Sequence, residues 1–149
     1  MVKSFRPKSV NLVHRNAERA AAFRKYVKET LNFNEVRTVE LFSTDVMEKL
    51  VNSKLIINAT PIGMWPRNAE SVIEAEEAFS EDQIVFDLVY TPLETKFLQL
   101  AKGRGSRTIS GLEMFVYQGA KSFELWTDQQ MPVEQVRKTI IDKLHSMPD

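Results

Sequence analysis

Two stretches, Leu55-Ile56-Ile57-Asn58-Ala59-Thr60-Pro61-Ile62-Gly63-Met64 and Ile84-Val85-Phe86-Asp87-Leu88-Val89-Tyr90-Thr91-Pro92, decide the fold. Each begins as an unbroken apolar run and ends in polar residues with Pro or Gly. A short continuous apolar run with a turn after it is the pattern of a strand covered on both faces, as in the parallel sheet of an α/β protein. Working outward, further strands are predicted from Val10 to Val13, from Glu35 to Val39 and from Arg107 to Ile109, with the first two at Leu55 to Ala59 and Ile84 to Val89. Segments of helical period lie between them, and that alternation predicts βαβ units in an open, doubly wound, mostly parallel sheet.

The helix starts are legible. Asn16 is placed to cap a helix from Ala17 to about Thr30, and Asp45 with Glu48 has capping-box spacing for a short helix ending near Asn52. Thr91-Pro92-Leu93-Glu94 combines an N-cap, a first-turn proline and an N3 glutamate, and Ser110 with Glu113 repeats the box. The helix after Ser110 runs to about Trp126, with Leu112, Phe115, Val116, Gly119, Phe123 and Trp126 on its packed stripe. A last helix starts near Pro132 and turns Val133, Val136, Ile140, Ile141 and Leu144 inward, while Gly103 reads as a helix C-cap.

The 149 residues are 43% apolar and 27% charged, in the range of an ordinary globular domain, and no linker or repeat divides them, so a single domain over 1–149 is expected. Twenty basic residues balance 20 acidic ones, leaving no field to attract nucleic acid. No apolar stretch reaches the roughly 20 residues of a membrane helix, and the N-terminus lacks a signal-peptide segment, so no membrane partner and a cytoplasmic location are expected. With no Cys, thiol nucleophiles and thiolate metal sites are excluded, and His14 and His145 have no metal-ligand spacing. No metal site is expected.

Ligands of an open α/β sheet bind beyond the carboxyl ends of its strands. The residues there are His14-Arg15-Asn16, Asn58 to Met64, Asp87 to Pro92 and Ser110-Gly111. Three stretches in order, Leu55 to Met64, Val85 to Thr95, and Gly111-Leu112-Glu113-Met114-Phe115-Val116-Tyr117-Gln118 through Trp126-Thr127, resemble shikimate dehydrogenase. The resemblance runs from about Val10 to the last helix and covers only the C-terminal, nucleotide-binding half of that family. It implies a Rossmann-like fold, NADP as cofactor, and reversible hydride transfer between shikimate and 3-dehydroshikimate, a step of aromatic amino acid biosynthesis.

The resemblance also assigns roles. Arg15 and Arg19, in His14-Arg15-Asn16-Ala17-Glu18-Arg19, stand where the family clamps the 2′-phosphate of NADP, with Asn16 between them. A guanidinium fork suits a phosphate. The plain alternative leaves Arg15 solvated and Arg19 paired with a neighbouring acid. Asn58, Ala59 and Thr60, with Val89, correspond to the ribose and nicotinamide region, though Asn58 in a strand-end turn also satisfies local backbone groups. Gly111 and Met114 complete the cofactor set, with Gly111 letting the nicotinamide approach. Tyr90 and Gln118 would meet the hydroxyls or carboxylate of a substrate of shikimate or quinate type; a packed Tyr90 and a solvated Gln118 are the plain alternatives. Asp87 reads as structural, bonded to loop amides, and Thr95 as a helix-packing residue.

Two parts of the family pattern have no counterpart here. One is the N-terminal domain with its Lys and Asp pair for proton transfer, so no catalytic residue is assigned and the domain alone is expected to be nearly inactive. The other is the first strand with its glycine-rich turn; the only G-x-G, Gly103-Arg104-Gly105, precedes a strand. Losing a central strand leaves two edges to be closed, by direct pairing of the strands at Val10 and Leu55, by the arm Met1 to Phe5, or by a partner chain or second copy. The alternatives to an enzyme part are a non-catalytic nucleotide-binding or interaction module and a fragment of a longer dehydrogenase.

Overall fold

A computed structural model describes residues 7–146 of the chain. It is α/β, and it divides into two compact units, Met1–Asn52 and Ser53–Asp149. In the first, β1 (Val10–His14) leads through α1 (Ala17–Leu31) to β2 (Val36–Glu40), followed by the short α2 (Asp45–Val51). β1 and β2 pair in parallel with Val10 opposite Val36 and His14 opposite Glu40. The core of this unit is small: Ala20 and Val27 of α1, Val36 and Val39 of β2, and Val46 and Leu50 of α2. Ala20 and Val27 are seven residues apart, two turns of one helix face.

In the second unit β3 (Leu55–Asn58), β4 (Ile84–Asp87) and β5 (Arg107–Ile109) form a parallel sheet with β4 in the centre. α3 (Lys96–Gly103) connects β4 to β5, and α4 (Gly111–Thr127) and α5 (Val133–His145) follow. Central position explains burial: Val85 and Asp87 of β4 are fully enclosed, whereas Leu55 on the edge strand β3 is exposed. The expectation of cover on both faces therefore holds best for the central strand. α3 presents Phe97, Leu98, Leu100 and Ala101 to the core, where Phe97 meets Phe79 edge to face at 5.7 Å between ring centroids. The strands at Val10 and Leu55 lie in separate sheets, so their direct pairing is not made; the arm Met1 to Phe5 lies outside the described residues.

The helix ends correct several expectations. Asn16 caps α1 as expected, its Oδ1 accepting the Arg19 backbone N–H at 2.9 Å. Asp45 is the first residue of α2 and not its cap, and Glu48 turns to Lys49 at 2.8 Å, so no capping box forms there. α3 starts at Lys96, not after Thr91: Thr95 is its N-cap, with Oγ1 accepting from the Leu98 backbone N–H at 3.4 Å, and Glu94 goes to Lys102. Ser110 occupies the cap position of α4 without a side-chain bond, and Glu113 is drawn to Arg137 of α5, so neither half of the capping box forms. Gly103 is the last helical residue of α3; the left-handed glycine is Gly105, with φ of 81°.

The packed stripe of α4 also ends sooner than its periodicity implies. Leu112 and Val116 are buried and Phe115 and Phe123 half-buried, but Gly119 and Trp126 are exposed, Trp126 at 83%. The inward residues of α5 are all half-buried and none is enclosed. Arg137 fastens the two helices, donating to both carboxylate oxygens of Glu113 at 2.9 and 3.0 Å, pairing with Glu134, and lying over the Tyr117 ring. Its hydrogen bonds to Glu134 and then Glu113 push the guanidinium pKa further up.

Replacing Asn16 with Ala leaves an N–H of the first turn of α1 without its acceptor. We expect a loss of about 1 kcal/mol, read as a lower urea midpoint by circular dichroism.

Candidate active site

The candidate residues fall in both units, and in each unit they stand at or beyond strand ends. In the first unit, His14 closes β1 and Arg15 leads to the Asn16 cap, so Arg15 and Arg19 flank the N-terminus of α1. Both arginines are exposed, and among the described residues neither joins an ion pair. The alternative in which Arg19 pairs with a neighbouring acid is not what the structure holds. Two free guanidinium groups beside a helix N-terminus form a donor set for an anion. Asn16 spends its side-chain oxygen on the cap, while the Nδ1 of His14 and the Oδ1 of Asn11 are shielded without a hydrogen-bond partner among the described residues.

In the second unit, a cleft of about 230 Å³ is lined by Ala59, Thr60, Pro61 and Met64 from the turn after β3 and by Leu88, Val89, Tyr90 and Thr91 from the segment after β4. The parallel register sets Asn58 opposite Asp87, so both loops leave the sheet together. Backbone bonds stitch them: the Leu88 N–H donates to the Asn58 carbonyl at 3.0 Å, and the Trp65 N–H to the Thr91 carbonyl at 3.0 Å. Gly63 turns the first loop with φ of 87°, a left-handed conformation that suits glycine.

Asn58 is 2% exposed and has no capacity left for a ligand. Its Nδ2 donates to the Ile62 carbonyl at 3.2 Å and to Asp87 Oδ1 at 3.0 Å; its Oδ1 accepts from the backbone N–H and the hydroxyl of Thr60, at 3.0 and 2.7 Å. That is the full complement of a side-chain amide. The Thr60 hydroxyl, having donated to Asn58, accepts from the Ile62 N–H at 3.2 Å. Of the two readings of Asn58, the one in which it satisfies its own turn describes the structure. What this loop offers the cleft is its main chain and the small Ala59.

Asp87 is completely buried and bonded to a loop amide, as expected. Thr95 is not a mere packing residue: its hydroxyl donates to Asp87 Oδ2 at 2.6 Å and caps α3. Val89 is buried; its N–H donates to Asp87 Oδ1 at 3.0 Å and its carbonyl accepts from the Gly111 N–H at 3.1 Å. Gly111 has a structural reason beyond ligand approach. A Cβ on it would lie 2.1 Å from the Leu88 carbonyl oxygen and 2.9 Å from that of Val89. The start of α4 thus rests directly on the loop that lines the cleft.

Tyr90 lies along Phe115 of α4, with ring centroids 4.5 Å apart and planes inclined by 17°. Its hydroxyl makes no hydrogen bond among the described residues. The stacking was not legible in sequence, since it joins residues 25 positions apart on different elements. Met114 and Gln118 are both exposed on α4, one turn apart, and the Gln118 side chain makes no hydrogen bond among the described residues. No group of three or more His, Asp or Glu able to hold a metal occurs among the described residues, and none of their helices is long and apolar enough to cross a membrane.

Residues 111–141 match the family model described as the shikimate 5′-dehydrogenase C-terminal domain. The chain is 40% identical over 137 residues to the NADP(+)-dependent shikimate dehydrogenase of Methanocaldococcus jannaschii, an alignment that covers 91% of this chain and 48% of the relative. A crystal structure of a shikimate dehydrogenase in complex with NADP+ superposes with a TM-score of 0.83 at 40% identity, over 91% of this chain and 47% of the other. The Thermus thermophilus enzyme in complex with NADP(H) and shikimate gives a TM-score of 0.69 at 32% identity, over 87% and 44%. The chain therefore spans about half the length of the relatives it matches, and the Rossmann-like α/β reading holds.

Gly111→Ala forces a methyl group into backbone. We expect destabilisation of about 3 kcal/mol, the upper end of overpacking costs, measured by chemical denaturation, whereas Gly119→Ala, with open space around its Cβ position, is expected to be neutral or mildly stabilising.

Proposed function

From its kinship with the C-terminal half of the shikimate dehydrogenases, we propose that this chain is the NADP-binding part of a dehydrogenase of that type, forming a single nucleotide-binding domain and acting in the cytoplasm in aromatic amino acid biosynthesis. The observation that carries the reading is the pair of free guanidinium groups of Arg15 and Arg19 at the end of β1. A strand end that selects NAD instead presents an acid to the ribose hydroxyls. Arg15 and Arg19, beside Asn16, bind the 2′-phosphate. Ala59, Thr60, Val89 and Met114 form the part of the site for the ribose and nicotinamide, with Asn58 and Gly111 shaping it from behind.

The cofactor, when bound, supplies the hydride acceptor or donor. The residues of this chain bind and orient. Tyr90, held flat by Phe115, offers an uncommitted hydroxyl to a polyhydroxylated carboxylic acid of shikimate or quinate type, and the Gln118 amide offers both a donor and an acceptor to its hydroxyls. Proton transfer at the reacting hydroxyl requires an acid or base near neutral pH. In this reading it comes from a catalytic part of the Lys and Asp kind, on another chain or on more of the same one, so that residues 1–149 alone turn over little substrate. The same partner, or a second copy, supplies the strand that completes the sheet.

Titration calorimetry with NADPH and NADH tests the proposal. We expect saturable binding that prefers NADPH, weakened about tenfold or more by Arg15→Ala, as loss of a charge-assisted hydrogen bond entails, with NADH little changed. Absence of heat with either cofactor from a folded sample would instead favour a module that has kept the fold for another interaction.

A further inference from the structure

Neither Asp87 nor Thr95 lines the cleft, yet every loop that does is tied to them. The Asp87 carboxylate, fully enclosed, receives three donors: Asn58 Nδ2 and the Val89 N–H on Oδ1, and the Thr95 hydroxyl on Oδ2. Through Asn58 the first bond reaches the turn at Thr60 and Ile62; through Val89 the second sets the loop on which Gly111 rests. Thr95 also lies beside the first loop: a Cβ added to Gly63 would stand 3.6 Å from its Cβ. The direction of each bond is forced. Thr95 Oγ1 accepts from the Leu98 N–H, so its own proton is directed to Asp87, and the Asn58 amide cannot be turned over without losing its bonds to the Ile62 carbonyl, to Asp87 and to the Thr60 N–H.

We propose that Thr95, acting through Asp87, is the positioning residue of this cleft, so that the N-cap of α3 sets the geometry of both ligand-facing loops. Neither residue touches the ligand. A buried carboxylate with a missing donor is far costlier than one fully bonded, so the carboxylate moves or recruits water when its partner is lost, and the two loops move with it. Neither loop has a second set of side-chain bonds of this kind among the described residues. The proposal rests on the reading of the cleft as a dinucleotide site, and the test separates the two.

The experiment compares the full chain with Thr95→Val, Thr95→Ser and Asp87→Asn, by amide hydrogen exchange and by NADPH titration. For Thr95→Val we expect exchange at Thr60 and Val89 to rise tenfold or more while Val85 and Phe86 in β4 stay protected, and the NADPH dissociation constant to rise about tenfold. Thr95→Ser, which keeps the hydroxyl, restores both. Asp87→Asn, which keeps the shape and one acceptor, gives the same pattern at smaller amplitude and stands in if Thr95→Val does not fold. Unchanged loop exchange in Thr95→Val or Asp87→Asn, or a rise shared equally by loops and strand, would overturn the proposal, since a merely structural residue moves the whole unit together. Loosened loops in a chain whose unmodified form binds no NADPH would uphold the positioning role and remove the dinucleotide reading.

Discussion

A carboxylate buried at the end of a central strand is the constraint on which the second unit turns. An isolated charge there would be prohibitive, and it is tolerated only because three donors converge on it. Each comes from a different place: the facing strand β3, the loop two residues on, and the cap of the next helix. The parallel register brings Asn58 opposite Asp87, so a slip of one residue would place an apolar side chain opposite the charge and leave the amide on the wrong face. Apolar packing draws the strands together; the polar pairing at their ends selects one alignment. The same bonds that make the charge tolerable also fix the two loops that shape the cleft.

A second constraint is steric. The N-terminus of α4 lies so close to the main chain at Leu88 and Val89 that only glycine fits at residue 111. A resemblance to a nucleotide-binding family invites the view that such a glycine makes room for ligand, and the structure adds that it makes room for protein. The two uses are compatible. Bringing α4 down onto the loop places Phe115 against Tyr90, so the close approach also determines where the phenol stands. Burial of Val89 and Leu112 on either side of the contact keeps it closed.

Much of this was legible in the sequence, and the failures share a cause. All five strands and the course of the long helices follow from apolar runs and period, because those patterns report burial directly. The Asn16 cap was legible for the same local reason: cap and amide are three residues apart. The other cap assignments went astray where a residue had a competing partner, adjacent for Glu48, which pairs with Lys49, and distant for the others. Glu113 fits a capping box by spacing but finds a bidentate cation in Arg137, 24 residues away. Thr91 and Thr95 both precede helix-forming residues, and the choice between them falls to Thr95, which can serve Asp87 and the Leu98 amide at once. In the site, the cationic pair at Arg15 and Arg19 was visible as residue type. The saturation of Asn58 was legible only in part: its bonds within its own turn are local, but the one that completes the set goes to Asp87 on the neighbouring strand, 29 residues away.

That saturation changes how selectivity in the cleft is apportioned. A polar side chain whose bonds are all made contributes shape and no recognition, so Asn58 and Asp87 act from behind the cleft by holding the loops that line it. Unused capacity lies elsewhere: in the Tyr90 hydroxyl at the cleft, in the exposed Gln118 amide on α4, and in the other unit in the exposed guanidinium groups of Arg15 and Arg19. These differ in physical kind. The cations act at long range and weaken with salt, whereas hydrogen bonds to a preorganised main chain act only on contact and discriminate by geometry. Charge therefore acts on an anion that approaches the first unit, and in the second unit the loops tied to Thr95 and Asp87 set how accurately a ligand of the cleft is held. Accuracy of that order comes from a supporting layer of satisfied bonds more than from the residues in contact, and here that layer is the enclosed network at the end of β4.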